Sequence, residues 1–370
     1  TNESQFGVSL PMLAWEQQDT IGPAAPAAHG HTATLLGKNE SSRLVVFGGQ
    51  GQDNSMLSDT YVLDLASWTW RQVPYGQGSA RPARRAFHSA TAVEGRVVLF
   101  GGAARREGAP EIYYQDTWLY VDDYRTWKEV EMAGTVPAGR AAHSACLIEP
   151  GSIVVFGGTN GQRPFDELWL LHLHSSRWGQ LRLPSSLHKP TARSYHSAAV
   201  VGGQMLIWGG VRPGRDEGCS ISAGSDVHVF SLDKRSWALH LVSDERHLVG
   251  GGRSSHTAVA HRDKVLIIGG KLATLKGRKE LGTDRPALML AFDMRERSWL
   301  PPPAVASCES AARSGHTATL VSLPSPRILL IGGYLGNKRW TSSILTLDVA
   351  SLLPSLTAPR PALASTATAT

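Results

Sequence analysis

Cysteine is scarce: the 370 residues hold three, Cys146, Cys219 and Cys308, too few and too scattered for a disulfide framework or a zinc cage. A reducing compartment is the default expectation, cytoplasmic with the nucleus second. Asn2 and Asn39 head Asn-x-Ser tripeptides, but such tripeptides are common by chance, so secretion is the lesser expectation. Long apolar runs are missing too. No stretch of about 18 apolar residues occurs and no charged-then-apolar segment opens the chain, so no membrane-spanning helix is expected. The chain starts at Thr1, as a processed chain or an excised domain would. Charged residues make up only 18% against 42% hydrophobic, which argues against wholesale disorder and against a long coiled coil. No segment carries a helical period of useful length, so the class is all-β.

Catalytic signatures are also wanting. There is no Gly-x-Ser-x-Gly, no P-loop, and no Gly-x-Gly-x-x-Gly opening a helix, and no cofactor is expected. The net charge of +6 comes from 37 basic and 31 acidic residues spread along the chain, and nucleic-acid binding does not follow from it. The basic set is 28 Arg and 9 Lys; a guanidinium recognises carboxylates bidentately and tolerates partial burial.

What is present in excess is glycine, 38 residues, about 10% against a usual ~7%. Much of it belongs to a repeat. LVVFGG ends at Gly49, VVLFGG at Gly102, IVVFGG at Gly158, MLIWGG at Gly210, VLIIGG at Gly270 and ILLIGG at Gly333, at spacings of 53, 56, 52, 60 and 63 residues. Each run is short, continuous and apolar between turns, which predicts a strand buried on both faces. A second signature lies upstream, its histidine thirteen to seventeen residues before the first glycine: RAFHSA at Arg85, RAAHSA at Arg140, RSYHSA at Arg193, RSSHTA at Arg253 and RSGHTA at Arg313. The first repeat reads AHGHTA, with Ala28 in place of arginine. Turns such as Glu94-Gly95, Pro150-Gly151 and Gly202-Gly203 join the two segments as a β-hairpin. An alternating segment (DTYVLDL, DTWLYVD, ELWLLHL, DVHVFSL) then predicts a third strand, and the segments around Trp70, Trp127, Trp178, Trp237 and Trp299 a fourth.

One four-stranded sheet cannot bury both faces, so such units of about 50 residues must stack, and stacked radially they form a β-propeller. From roughly residue 13 to 350 the sequence resembles the kelch-repeat family, on the Gly-Gly, the spaced aromatic and the Trp in register. The expected architecture is a six-bladed β-propeller over residues 13–350, between an N-terminal extension 1–12 and a flexible Pro/Ala/Ser/Thr tail 351–370. Closure is legible too. The sixth repeat stops after its third strand without a Trp, and Trp15 has no repeat before it but lies 16 residues ahead of His31, the interval from Trp127 to His143. The N-terminal strand is therefore expected to complete the last blade and remove the open edges.

The repeat histidines, His31, His88, His143, His196, His256 and His316, lie on a ring too wide for one ion, so a structural hydrogen bond between strands is expected. His172 and His174 are expected at a surface or turn. Enzymes on related propellers offer two comparisons. Plant specifier proteins hold iron with Glu, Asp and His spaced four apart, and here Glu280 and Asp284 are followed by Leu288. Copper-radical oxidases need a tyrosine–cysteine pair that nothing here singles out. An enzyme, or the regulatory propeller of one such as a phosphatase, remains the alternative reading.

The resemblance implies a binding pocket at the end where the first strand starts and the second finishes. The candidate partner-binding residues are Arg85, Arg140, Arg193, Arg253 and Arg313, with Gln50, Thr159, Lys271 and Tyr334 after the glycines, and Tyr195. Guanidiniums converging there would favour an acidic peptide or protein; a structural role, bridging adjacent blades or capping strand ends, stands open beside it. Ala28 would make the pocket lopsided. The loop with Lys271, Lys276, Arg278, Lys279 and Arg285, and the aromatic Trp340, are further candidates. The leading reading is a non-enzymatic protein-interaction module, a scaffold or a ubiquitin-ligase substrate receptor, with no membrane or nucleic-acid partner.

Overall fold

The computed structural model describes residues 13–38, 41–76, 79–148, 151–183, 186–213, 220–222, 226–241, 252–272, 289–303, 305–306, 308–322 and 324–350. Asn2, Asn39, Pro150, Cys219, Lys276, Arg278, Lys279, Glu280, Asp284, Arg285, Leu288, the 1–12 extension and the 351–370 tail lie outside them.

Six antiparallel four-stranded sheets form a β-propeller. Blade 1 consists of Thr32–Leu36, Arg43–Phe47, Thr60–Asp64 and Thr69–Gln72, hydrogen-bonded in that order. Blades 2 to 5 repeat the pattern from Ser89, Ser144, Ser197 and Thr257. Blade 6 takes Thr317–Ser322, Pro326–Ile331 and Ile344–Asp348 from the C-terminal part, and Glu16–Gln18 as its fourth strand. The pairs Glu16–Thr346, Gln17–Leu345 and Gln18–Ile344 close the ring.

The apolar second strands sit in the middle of the packing because both faces of each sheet are covered by the neighbouring blades. The result is a separate core at each of the six blade interfaces. Large rings key them together. The residue before Gly-Gly in one blade meets the fourth-strand tryptophan of the next, Phe47 with Trp127 at 5.1 Å, Phe100 with Trp178 at 4.7 Å, Phe156 with Trp237 at 5.8 Å and Trp208 with Trp299 at 5.4 Å between ring centres. Trp15 and Leu13 are buried in the core between blades 5 and 6.

Around the axis the backbone forms a closed hydrogen-bonded ring. The amide of Phe87 donates to Gly30 O, Ala142 to Phe87 O, Tyr195 to Ala142 O, Ser255 to Tyr195 O, Gly315 to Ser255 O and Gly30 to Gly315 O, at 2.7–2.9 Å. All six residues, each directly before a repeat histidine, have φ between 55° and 68°, the left-handed conformation that costs a non-glycine residue about 1–2 kcal/mol. Four of them are not glycine, so the ring and the packing around it must hold that strain.

The histidines form a second inter-blade belt. His88 Nε2 hydrogen-bonds Thr32 Oγ1 (2.9 Å), His143 bonds Ser89 (2.9 Å), His196 Ser144 (2.9 Å) and His316 Thr257 (3.0 Å). In each pair the hydroxyl belongs to the residue after the previous blade's histidine. All six imidazoles are buried. Burial chiefly, with positive charge on neighbouring arginines and histidines, holds His31 at about 4, His143 and His256 at about 3, and His88, His196 and His316 well below 6.5. Among the described residues no three His, Cys, Asp or Glu side chains are grouped to hold a metal. His172 Nδ1 bonds Ser152 Oγ at 2.9 Å, and exposed His174 meets Glu94 at 2.9 Å.

Two outcomes are expected. Deleting residues 1–20 removes the closing strand with Trp15, and Trp15→Ala alone should cost about 3–5 kcal/mol; an unchanged melting temperature in either variant would refute closure by this strand. The histidine belt sets the pH dependence. The unfolded chain takes up imidazole protons near pH 6.5 and the folded chain only near 3–4, so the stabilisation is present above about 6.5 and is lost as pH falls. Each histidine then contributes up to ~1.4 kcal/mol per pH unit. Melting temperatures recorded from pH 8 to 5 should hold level and then drop steeply below 6.5.

Candidate functional site

The repeat arginines are placed by the same backbone that makes the Gly-Gly pair necessary. Both glycines of each pair have positive φ, 62–69° at the first and 89–106° at the second. The second glycine donates its amide to the next blade: Gly49 to Arg85 O, Gly102 to Arg140 O, Gly158 to Arg193 O, Gly210 to Arg253 O, Gly270 to Arg313 O and Gly333 to Ala28 O. A Cβ on Gly101 would stand 2.6 Å from Arg140 O, closer than two such atoms approach.

Each guanidinium then turns back into its own blade. Nη1 of Arg85, Arg140, Arg193, Arg253 and Arg313 donates to the carbonyl of the first glycine in its own pair, Gly101, Gly157, Gly209, Gly269 and Gly332, at 2.9–3.1 Å. Arg85 is gripped at both nitrogens by Asp116 (2.6 and 2.8 Å) and covers the Tyr114 ring at 4.0 Å. Arg140 bonds Glu167 at 2.9 Å and covers Phe165 at 4.3 Å. In blade 6 Ser343 stands at the carboxylate position, and Arg313 bonds its carbonyl and hydroxyl. Burial lowers the pKa of Arg140, and lowers Arg193 and Arg313 to about 10; for Arg140 it outweighs the Glu167 carboxylate. Although burial opposes its ionisation, hydrogen bonds from Trp169 and Arg140 hold Glu167 below the usual carboxylate range.

The five side chains are 0–5% exposed, so they do not converge as free cations on a funnel mouth. Their guanidiniums are enclosed within their own blades, each capping the glycine carbonyl at the end of the second strand and not bridging to the adjacent blade.

The other candidates do come together. The residue after each Gly-Gly forms a β-bridge within its blade to the residue two before the repeat histidine: Gln50 with His29, Ala103 with Ala86, Thr159 with Ala141, Val211 with Ser194, Lys271 with Ser254 and Tyr334 with Ser314. These bridges set Gln50, Thr159, Lys271 and Tyr334 at one height around the axis. Inside them Tyr195 meets Phe87 edge-on at 5.3 Å, Phe87 meets His29 at 5.5 Å, and His29 lies 6.3 Å from Tyr334 and 6.0 Å from Trp340. Trp340 Nε1 donates to His29 Nδ1 at 2.7 Å, and Tyr334 and Trp340 are 5.1 Å apart. The Lys271 ammonium stands 5.1 Å from the Tyr334 ring centre. Phe87 and Tyr195 also line the mouth of the axial cavity of about 220 Å³, whose wall includes the six histidines.

The face is thus an aromatic floor with polar rims. Phe87 and His29 were missed at the sequence level, though Phe87 occupies the same repeat position as Tyr195, so register alone could have found it. No comparable signal marks His29, whose role depends on Trp340 across the closure between blades 6 and 1.

A model of the KLHDC2/KLHL20/DRC7 Kelch-repeats domain matches residues 3–210. Host cell factor homolog hcf-1 of Caenorhabditis elegans is 27% identical over 286 residues, 70% of this chain and 35% of that protein. Kelch domain-containing protein 3 of Homo sapiens is 30% identical over 230 residues, 59% of this chain and 58% of that protein. Adagio protein 3 of Arabidopsis thaliana is 27% identical over 357 residues, 93% of this chain and 53% of that protein. The chain therefore spans between a third and three fifths of the length of these relatives.

Arg85→Ala should destabilise the propeller by about 3–5 kcal/mol, because Asp116 loses its cationic partner, keeping only the Trp118 indole N–H, and Gly101 O loses its donor. Arg85→Lys, which cannot grip both carboxylate oxygens and the carbonyl in one plane, should recover only part of this. Equilibrium urea unfolding of the three proteins is the check, and wild-type stability in Arg85→Ala would remove the scaffold role.

Proposed function

Because the chain belongs to the kelch-repeat family, we propose that it works as a non-enzymatic protein-interaction module, a scaffold or substrate receptor that holds an acidic peptide segment of its partner on the loop face. The observation that carries the reading is the aromatic cluster at the mouth of the axial cavity, Phe87, Tyr195, His29, Tyr334 and Trp340. These rings are half-buried, and aromatic anchors of this kind dominate peptide and protein interfaces.

Charge around the floor supports an acidic partner. Among the described residues, the loops after the second strands expose Arg105, Arg106, Arg163, Lys271, Lys338 and Arg339, against exposed Asp53, Glu107 and Glu111. The attraction assigned to the five repeat arginines therefore passes to these loop cations, which are solvated and free to meet a carboxylate. Gln50 and Thr159 add hydrogen-bonding groups at the rim. A partner that reads this face would place an apolar or aromatic side chain over Phe87 and Tyr195, and acidic groups beside Lys271.

Panning an acidic peptide library against the wild type, then titrating the selected peptides into Tyr195→Ala and Lys271→Glu, tests the reading. Each variant should bind about ten-fold more weakly or worse with its melting temperature within about two degrees of wild type. Equal affinity in both variants would place the partner elsewhere.

A further inference from the structure

Blade 1 has kept the seat of an arginine without the arginine. In blade 2 the Arg85 guanidinium is held by the carbonyls of Ala83 and Gly101 and the carboxylate of Asp116, with Tyr114 against its flat face. In blade 3 the corresponding set is Ala138, Gly157, Glu167 and Phe165. Blade 1 supplies the same positions as Pro26, Gly48, Asp59 and Leu57. The amide of Leu57 donates to Gly49 O as those of Tyr114 and Phe165 do to Gly102 O and Gly158 O, which fixes the correspondence.

All four residues line one cavity of about 20 Å³, with Ala28 at the place from which the arginine would enter. The carbonyls and the Asp59 carboxylate among its lining are acceptors, with His31, Tyr61 and Ser342 as its other polar residues; the Asp59 side chain is 38% exposed, so the cavity can be reached from solvent past the carboxylate. Arg81 does not fill it. Its closest approach to Asp59 is 4.0 Å, and its guanidinium lies over the Tyr75 ring at 4.5 Å, outside the cavity.

We propose that this cavity is a guanidinium-binding site, filled in trans by an arginine side chain of a bound partner. A planar cation with several N–H donors matches the pattern of two carbonyls and a carboxylate that holds Arg85 and Arg140, whereas an ammonium offers no flat face to Leu57. The proposal stands on the cavity and its counterparts in blades 2 and 3, independently of the aromatic face.

The test compares wild type, Ala28→Arg and Asp59→Asn by the melting temperature of tryptophan fluorescence, in millimolar methylguanidinium chloride against equal sodium chloride. Wild type should gain roughly 2 °C at ten times the dissociation constant. Asp59→Asn should lose the gain. Ala28→Arg, with the seat filled in cis, should melt higher than wild type and not respond. No gain in wild type, or the same gain in all three, overturns the site; should Ala28→Arg fail to fold, wild type against Asp59→Asn decides alone. Nα-acetyl-arginine methylamide should reproduce the wild-type gain, and its failure while methylguanidinium succeeds would overturn the arginine side chain as occupant. Tyr195→Ala and Lys271→Glu should respond as wild type does, which separates this site from the loop face.

Discussion

The six backbone hydrogen bonds around the axis are the constraint on which the molecule depends. Every blade donates one amide to the blade before it, and the ring returns on itself through Gly30 and Gly315. That last link joins residues far apart in sequence, so it forms only when the N-terminal strand has docked on blade 6 or docks with it. Such a ring fixes blade number geometrically: each link requires the same left-handed residue before the same histidine, and that histidine spans to the hydroxyl of the previous blade. A strained conformation repeated six times is tolerable because each copy is held on both sides.

Outside this ring lies a second one, in which glycine amides of one blade meet the Arg85-type carbonyls of the next while the guanidiniums brace the glycine carbonyls within a blade. The two circuits explain why glycine comes in pairs. The first glycine must let the next blade's carbonyl and imidazole approach, and the second must sit against its own blade's histidine. A side chain at the first would push against the next blade, and one at the second against the histidine of its own.

The architecture was legible because it repeats. Hydrophobic runs, Gly-Gly pairs and tryptophans in register gave six blades, and two incomplete repeats at opposite ends gave the closure. The site was legible only in part, for a physical reason. Arginine at a strand end reads equally as a ligand cation or as a buried brace, and the deciding partners, Asp116 and Glu167, lie 31 and 27 residues away across a variable loop. Both begin third strands at the same register, Asp116 before Thr117 and Glu167 before Leu168, so the pairing could have been found by aligning the acidic residues as carefully as the basic ones. The His29–Trp340 contact could not, because it depends on two loops meeting across the closure.

The same division explains how a uniform scaffold presents a non-uniform face. Backbone groups carry the axial ring, so the side chain before each histidine is free to differ, and it does: Gly30, Phe87, Ala142, Tyr195, Ser255 and Gly315. Two large rings on blades 2 and 4 arch over a mouth whose other sides are small, which makes the opening asymmetric without disturbing any inter-blade bond. The next ring out behaves alike, since the bridges that align Gln50, Thr159, Lys271 and Tyr334 are also made by backbone. Blade 1 departs in the opposite way. There a scaffold side chain has been given up at Ala28 while its acceptors persist, and the Gly333 amide still reaches Ala28 O. The backbone circuit survives the loss, so the seat remains formed.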